Sequence, residues 1–188
     1  MLGAVLLVFT GCTAEQEYDY LDEEWEQTQQ TAGVRVTDTE YKEAIHLMMK
    51  TFCNDFTEEE LERMYPAQCW TYFEEENGKT LSQIYEDFSG RLAESWEKTM
   101  EEYGQDAAVR YEFEQREDCI GEDYEALKSA LIEKYGFDDS VFGICYEVRI
   151  KKATIGSLKE NIYSQWYHVI EIDGQWYVAD VLTNMPLI

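Results

Sequence analysis

The sequence predicts an α+β domain in which N-terminal helices pack on an antiparallel sheet. Three observations carry this. Helix-start signals crowd the first half, where a Thr is followed three residues later by Glu or Gln at Thr37–Glu40, Thr57–Glu60 and Thr80–Gln83. After Gly104 the hydrophobic period changes from helical to alternating. Near the C-terminus, Asp173-Gly174 separates two such alternating runs, the strongest short signal for a hairpin.

The elements follow in order. Behind Thr37, the residues Tyr41, Ile45, Met48 and Phe52 recur at helical spacing. Thr57 opens a short helix that must end near Tyr65, because Pro66 disfavours a helical residue before it. Pro66 suits the first turn of the next helix, which runs through Trp70 and Phe73 to Asn77-Gly78. Thr80 opens the longest helix, with Leu81, Ile84, Tyr85, Phe88, Leu92, Trp96, Met100 and Tyr103 on one face and Gly104 as the stop. Val109, Tyr111 and Phe113 alternate with Arg110, Glu112 and Glu114, as in a half-buried strand. Residues 122–135 return to helical spacing through Tyr124, Leu127, Leu131 and Tyr135. Ile144, Tyr146, Val148 and Ile150 mark a second strand, and residues 156–161 read as a turn. The final hairpin is predicted over 163–172 and 175–182. With a two-residue turn, Trp166, His168, Ile170, Ile172, Tyr177, Ala179 and Val181 share one face, and that face is predicted to meet the helices.

Composition narrows the function. The chain has 188 residues, and 45% are hydrophobic, ample for one core. It carries 40 acids and 15 bases, a net charge of −25. Only seven of those acids precede Thr37, so the acidity belongs to the domain. Such a field repels nucleic acid backbones and anionic head groups, and it admits cationic partners. Cys53, Cys69, Cys119 and Cys145 have no zinc-finger spacing. They pair as neighbours, Cys53–Cys69 and Cys119–Cys145, or serve as four small buried apolar side chains.

Residues 2–12 are apolar and end Thr10-Gly11-Cys12, after which the chain turns acidic at once. This resembles the end of a bacterial lipoprotein signal, with a small residue before the cysteine that receives lipid. The resemblance implies that Cys12 is the anchor, that residues 1–12 are signal and lipobox, and that residues 13–36 form an acidic tether. No Lys or Arg precedes Cys12, so the basic part of such a signal is lacking, and the apolar run is shorter than a membrane span. The implied location is extracytoplasmic, with acyl chains as the sole link to the membrane.

The last hairpin reads Val169-Ile170-Glu171-Ile172-Asp173-Gly174-Gln175-Trp176-Tyr177-Val178. With the element order over 37–188, it resembles the NTF2-like (cystatin-like) domains of lipoproteins from Gram-positive bacteria, in which a curved sheet wraps helices into a cone. Gln175 stands where those hairpins commonly carry Lys. The resemblance implies a fold and a location and assigns no cofactor.

Candidate chemistry is sparse. Tyr146, Trp166, His168 and Tyr177 are the residues that could line a cavity at the mouth of such a cone. His168 reads as a pocket acid or base, or as a core histidine with a satisfied hydrogen bond. Asp180 and Tyr167 could act as base and oxyanion donor in a ketosteroid-isomerase-like site, although no motif of those enzymes matches. The acidic runs Glu58–Glu60, Glu74–Glu76 and Glu122-Asp123 lack the spacing and central Gly of a calcium loop. No catalytic, cofactor or metal residue is assigned. The expected function is a non-enzymatic, lipid-anchored binding domain for a protein or small-molecule partner. The alternatives are a small-molecule enzyme using the cone cavity and a structural subunit of an envelope assembly.

Overall fold

The computed structural model describes residues 40–184. Cys12 and its leader, the tether over 13–36 and the Thr37 helix start lie outside the described residues. The described elements are α1 (Glu40–Thr51), α2 (Glu58–Arg63), α3 (Ala67–Asn77), α4 (Leu81–Tyr103), β1 (Ala108–Asp118), α5 (Glu122–Tyr135), β2 (Phe142–Ile155), β3 (Glu160–Ile172), β4 (Gln175–Val178) and α6 (Ala179–Asn184). The strands form one antiparallel sheet in the order β1-β2-β3-β4, and it does not close on itself.

Local chemistry sets most boundaries where the sequence puts them. Thr57 accepts the Glu60 N–H, and the Glu60 carboxylate accepts the Thr57 N–H, so α2 begins with both orphan donors satisfied. Thr80 and Gln83 do the same for α4. Gly78 and Gly136 end α3 and α5 in the left-handed conformation. Asp173 and Gly174 both have positive φ, which makes a two-residue turn and pairs Ile172 with Gln175.

Residues opposite one another in a ladder share a face. Tyr146, Val148 and Ile150 therefore lie with Phe113 of β1, Tyr167 and Val169 of β3, and Val178 of β4. Helix α1 covers this face. Its Tyr41 meets the rings of Phe113, Tyr146 and Trp176 edge-on, and Tyr146 stacks on Trp176 at 5.2 Å. The opposite face carries Cys145, His168, Ile170 and Tyr177. Helix α6 covers it at the hairpin end, and α5 holds α6 through the Tyr135 hydroxyl, which donates to the Leu182 carbonyl at 2.6 Å. Both faces of the β3–β4 hairpin are thus buried.

Two expectations are corrected. The helices do not take only the Ile170 face of the hairpin, since α1 takes the Val169 face. The final strand ends at Val178 rather than at Leu182, and the chain turns into α6. Helical spacing buries Val181 and Leu182 together, and Asp180 turns back to accept the His168 N–H at 2.6 Å. The predicted stripe on α4 is also only partly used. Ile84, Phe88 and Tyr103 are buried, whereas Leu92, Trp96 and Met100 are half-buried. A helix of 23 residues is about 35 Å long and outruns the core beside it. Its C-terminal end is pinned instead by the β2–β3 turn, where Leu158 donates to the Tyr103 carbonyl. Gly156 permits this approach, because a Cβ there would fall 2.2 Å from that carbonyl oxygen.

Tyr65 sits among the rings of Trp70 and Phe73 and is 2% exposed, and its hydroxyl has no hydrogen-bond partner. An unsatisfied buried hydroxyl costs about 1–3 kcal/mol. Tyr65→Phe is therefore expected to raise stability by about 1 kcal/mol in urea unfolding. A clear loss of stability would contradict the orphaned hydroxyl.

Candidate functional site

The structure separates the four residues proposed to line a cavity. Tyr146 is buried beneath α1. Trp166, His168 and Tyr177 lie on the other face, with Trp166 38% exposed and Tyr177 buried. Tyr177 does border a cavity, together with Ala44, Met64, Trp176 and Val181. Its volume is about 10 Å³, room for a single water. Asp180 and Tyr167 do not form a base and donor pair, since Asp180 holds His168 and the Tyr167 hydroxyl donates to Gln165.

His168 is the predicted residue with the richest surroundings. It pairs with Glu147 across β2 and β3, and its Nε2 lies 3.7 Å from Glu147 Oε1. Its Nδ1 lies 3.4 Å from the Asp180 carboxylate. The imidazole is therefore held between two acids at the boundary between the covered and uncovered halves of the sheet. Cys119 lies at the base of this group. It follows β1 directly, and its N–H donates to the Cys145 carbonyl at 2.9 Å. Cys119 Sγ, a Glu147 oxygen and a His168 nitrogen all fall within 4.8 Å of one another. Sequence spacing could not reveal this group, because its members come from three separate stretches of chain.

The four described cysteines are buried free thiols. Burial pushes the Cys119 thiol up, its contact with Cys145 pulls it back, and Glu147, Asp123 and Asp180 push it further up. Cys145 is raised as well, by burial first and then by Cys119. Neither thiol is set up as a free thiolate nucleophile.

Beyond His168 the same face is open. Arg149 pairs with Glu114 at 3.1 Å and Lys151 with Glu112 at 2.8 Å, in ion pairs that are exposed and therefore weak. Beside them Ile162 is 51% exposed and Trp166 is 38% exposed. Strand β4 pairs only with the last four residues of β3, so among the described residues no strand borders β3 on that side before Val169. His46 of α1 is half-buried, and its Nδ1 lies 2.7 Å from the Tyr111 hydroxyl.

Lys152 is a buried cation on the α1 face that sequence reading did not single out. Its ammonium lies 3.3 Å from the centroid of the Phe52 ring and 5.3 Å from that of Tyr163. It was hidden because it continues an apolar run, in register with Tyr111 and Tyr163. Burial pulls its ammonium down to about 8. Comparison with protein-family models, with curated proteins and with solved structures gave no match.

The folded protein thus releases the Lys152 proton near pH 8, and the unfolded chain near its ordinary value of 10.5. Below pH 8 the fold bears the full cost of the buried charge. Between these two values that cost is relieved as pH rises. Lys152→Met is expected to be more stable than wild type at pH 7 by about 1–2 kcal/mol, the burial cost less the ring attraction. The margin should close by about pH 10.5 in paired urea titrations. A destabilised Lys152→Met protein at pH 7 would show that the rings hold the charge more strongly than burial opposes it.

Proposed function

We propose that this chain is a lipid-anchored extracytoplasmic binding domain of the NTF2-like kind, non-enzymatic, that receives an extended, basic polypeptide along the free edge of β3. The observation that carries the binding mode is that edge, Glu160 to Tyr167, which among the described residues is paired on one side only. Strand addition supplies affinity through main-chain hydrogen bonds and specificity through alternate side chains. His168 sends its N–H away from β2, to Asp180. N–H direction alternates along a strand, so Ile162, Ser164 and Trp166 send theirs the same way. Ile162 and Trp166 lie exposed beside those donors. Strand β1 is also an edge, but Arg110, Glu112, Glu114, Glu117 and Asp118 stud it with exposed charge, a usual defence against pairing. A net charge of −25 favours a partner rich in Lys and Arg.

Anchorage rests on Gly11-Cys12 behind an apolar leader. Among the described residues no helix is long and apolar enough to cross a membrane. The NTF2-like assignment rests on element order and on the Asp173-Gly174 hairpin.

Two measurements test this reading. Cys12→Ala should move the protein from the membrane fraction to the soluble fraction, and unchanged membrane association would exclude acyl anchorage. For the edge, Lys- and Arg-rich peptides of about ten residues should slow amide exchange at Ile162, Ser164 and Trp166. Ser164→Pro removes one outward N–H without touching the β2 ladder, where an edge proline is tolerated. It should weaken peptide binding at least about tenfold while leaving the melting temperature nearly unchanged. Equal affinity in Ser164→Pro would remove strand addition from the reading.

A further inference from the structure

We propose that Cys119, Glu147 and His168 form a binding site for one divalent transition-metal ion of the zinc type, with Asp180 as the group that orients the histidine. This goes beyond the peptide edge and does not depend on it. Three observations converge.

The first is the donor set. A thiol, a carboxylate and an imidazole have their ligating atoms within 4.8 Å of one another, and they come from the residue after β1, from β2 and from β3. Thiolate and imidazole select zinc and its neighbours over calcium or magnesium, which prefer all-oxygen shells. Three protein ligands leave a fourth tetrahedral position for water.

The second is the support behind the histidine. Asp180 accepts the His168 backbone N–H with one oxygen at 2.6 Å and faces Nδ1 with its carboxylate at 3.4 Å. The Asp180 carboxylate is thereby fixed by the strand it leans on. Donation of the Nδ1 proton to Asp180 leaves the Nε2 lone pair on the side of Glu147 and Cys119. Metal-binding histidines are commonly oriented by a carboxylate in this way.

The third is access. Cys119 is 4% exposed, while the side chains of Glu147 and His168 are about one-third exposed. The soft ligand lies at the floor and the other two stand at the rim, so an ion can arrive from solvent. The β2–β3 register holds Glu147 opposite His168, and the Cys119 N–H bond to the Cys145 carbonyl fixes the third donor's backbone. Binding takes the thiol proton from Cys119, which releases one proton per ion and charges the sulfur.

The test uses the full chain, kept reduced with a phosphine, titrated with Zn²⁺ by calorimetry and with Co²⁺ by absorbance. One ion per chain is expected, with a thiolate-to-cobalt charge-transfer band in the near ultraviolet and a raised melting temperature in Zn²⁺. Cys119→Ser should abolish the band. His168→Gln and Glu147→Gln should weaken zinc binding by roughly 100-fold, and Asp180→Asn by about 10-fold. Cys145→Ser and His46→Gln should bind as wild type does, and far-ultraviolet circular dichroism should show every variant folded. A cobalt spectrum without the band would overturn the proposal, as would a band that survives Cys119→Ser or affinity unchanged in His168→Gln. In those cases His168 serves only as the side chain that bridges Glu147 and Asp180. Peptide binding at the β3 edge is measured separately, so the two readings fail independently.

Discussion

The antiparallel pairing of β2 with β3 runs from Ile155 opposite Glu160 to Phe142 opposite Ile172, and the other parts of the molecule take their positions from it. The side-chain period in a strand is two, so a slip of one residue would exchange the two faces along its whole length. In the observed register Tyr146, Val148, Ile150, Tyr167 and Val169 all face α1, and all are buried. A slip would send Arg149, Lys151 and Glu147 under that helix. The desolvation cost of such charges makes the alternative pairing inaccessible. The same register sets Glu147 beside His168. The core and the histidine cluster are therefore consequences of a single alignment.

Helix starts and tight turns were legible in the sequence because their chemistry is local. Thr57 with Glu60, Thr80 with Gln83, and Gly78, Gly136 and Asp173-Gly174 each satisfy backbone groups within a few residues. What was not legible depends on distant partners. The run from Gln175 to Leu182 has the composition of a strand. It bends at Ala179 because β3 offers Asp180 an unpaired N–H and α5 offers Leu182 a phenol. The helix-facing side of the hairpin is not legible for a related reason. Counting apolar residues on each face assumes that one face is dry, and here helices cover both at that end. Lys152 continues the apolar positions Tyr146, Val148 and Ile150, but its charge argues against burial in the sequence, and only the rings of Phe52 and Tyr163 make room for it.

The cluster at the sheet boundary was the least readable part. His168 stands out in the sequence by its position among apolar residues, whereas nothing near Asp180 in the sequence marks it as the partner of that histidine. Cys119 and Glu147 lie 28 residues apart in sequence and 49 and 21 residues from His168. Nothing local joins them. Only the three-strand alignment and the return of α6 bring a thiol, two carboxylates and an imidazole to one place, which is why spacing rules for metal sites passed over it.

The stretch of β3 that no strand borders among the described residues bears on the behaviour of the protein at high concentration. Two such edges can zip together as readily as one edge accepts a foreign strand, and continued zipping builds oligomers. Mutual repulsion between chains of charge −25 opposes this approach. That barrier is ionic, and it shrinks when salt contracts the screening length to about 8 Å at physiological strength. Colloidal stability therefore belongs to the acid-rich surface, and it falls as ionic strength rises.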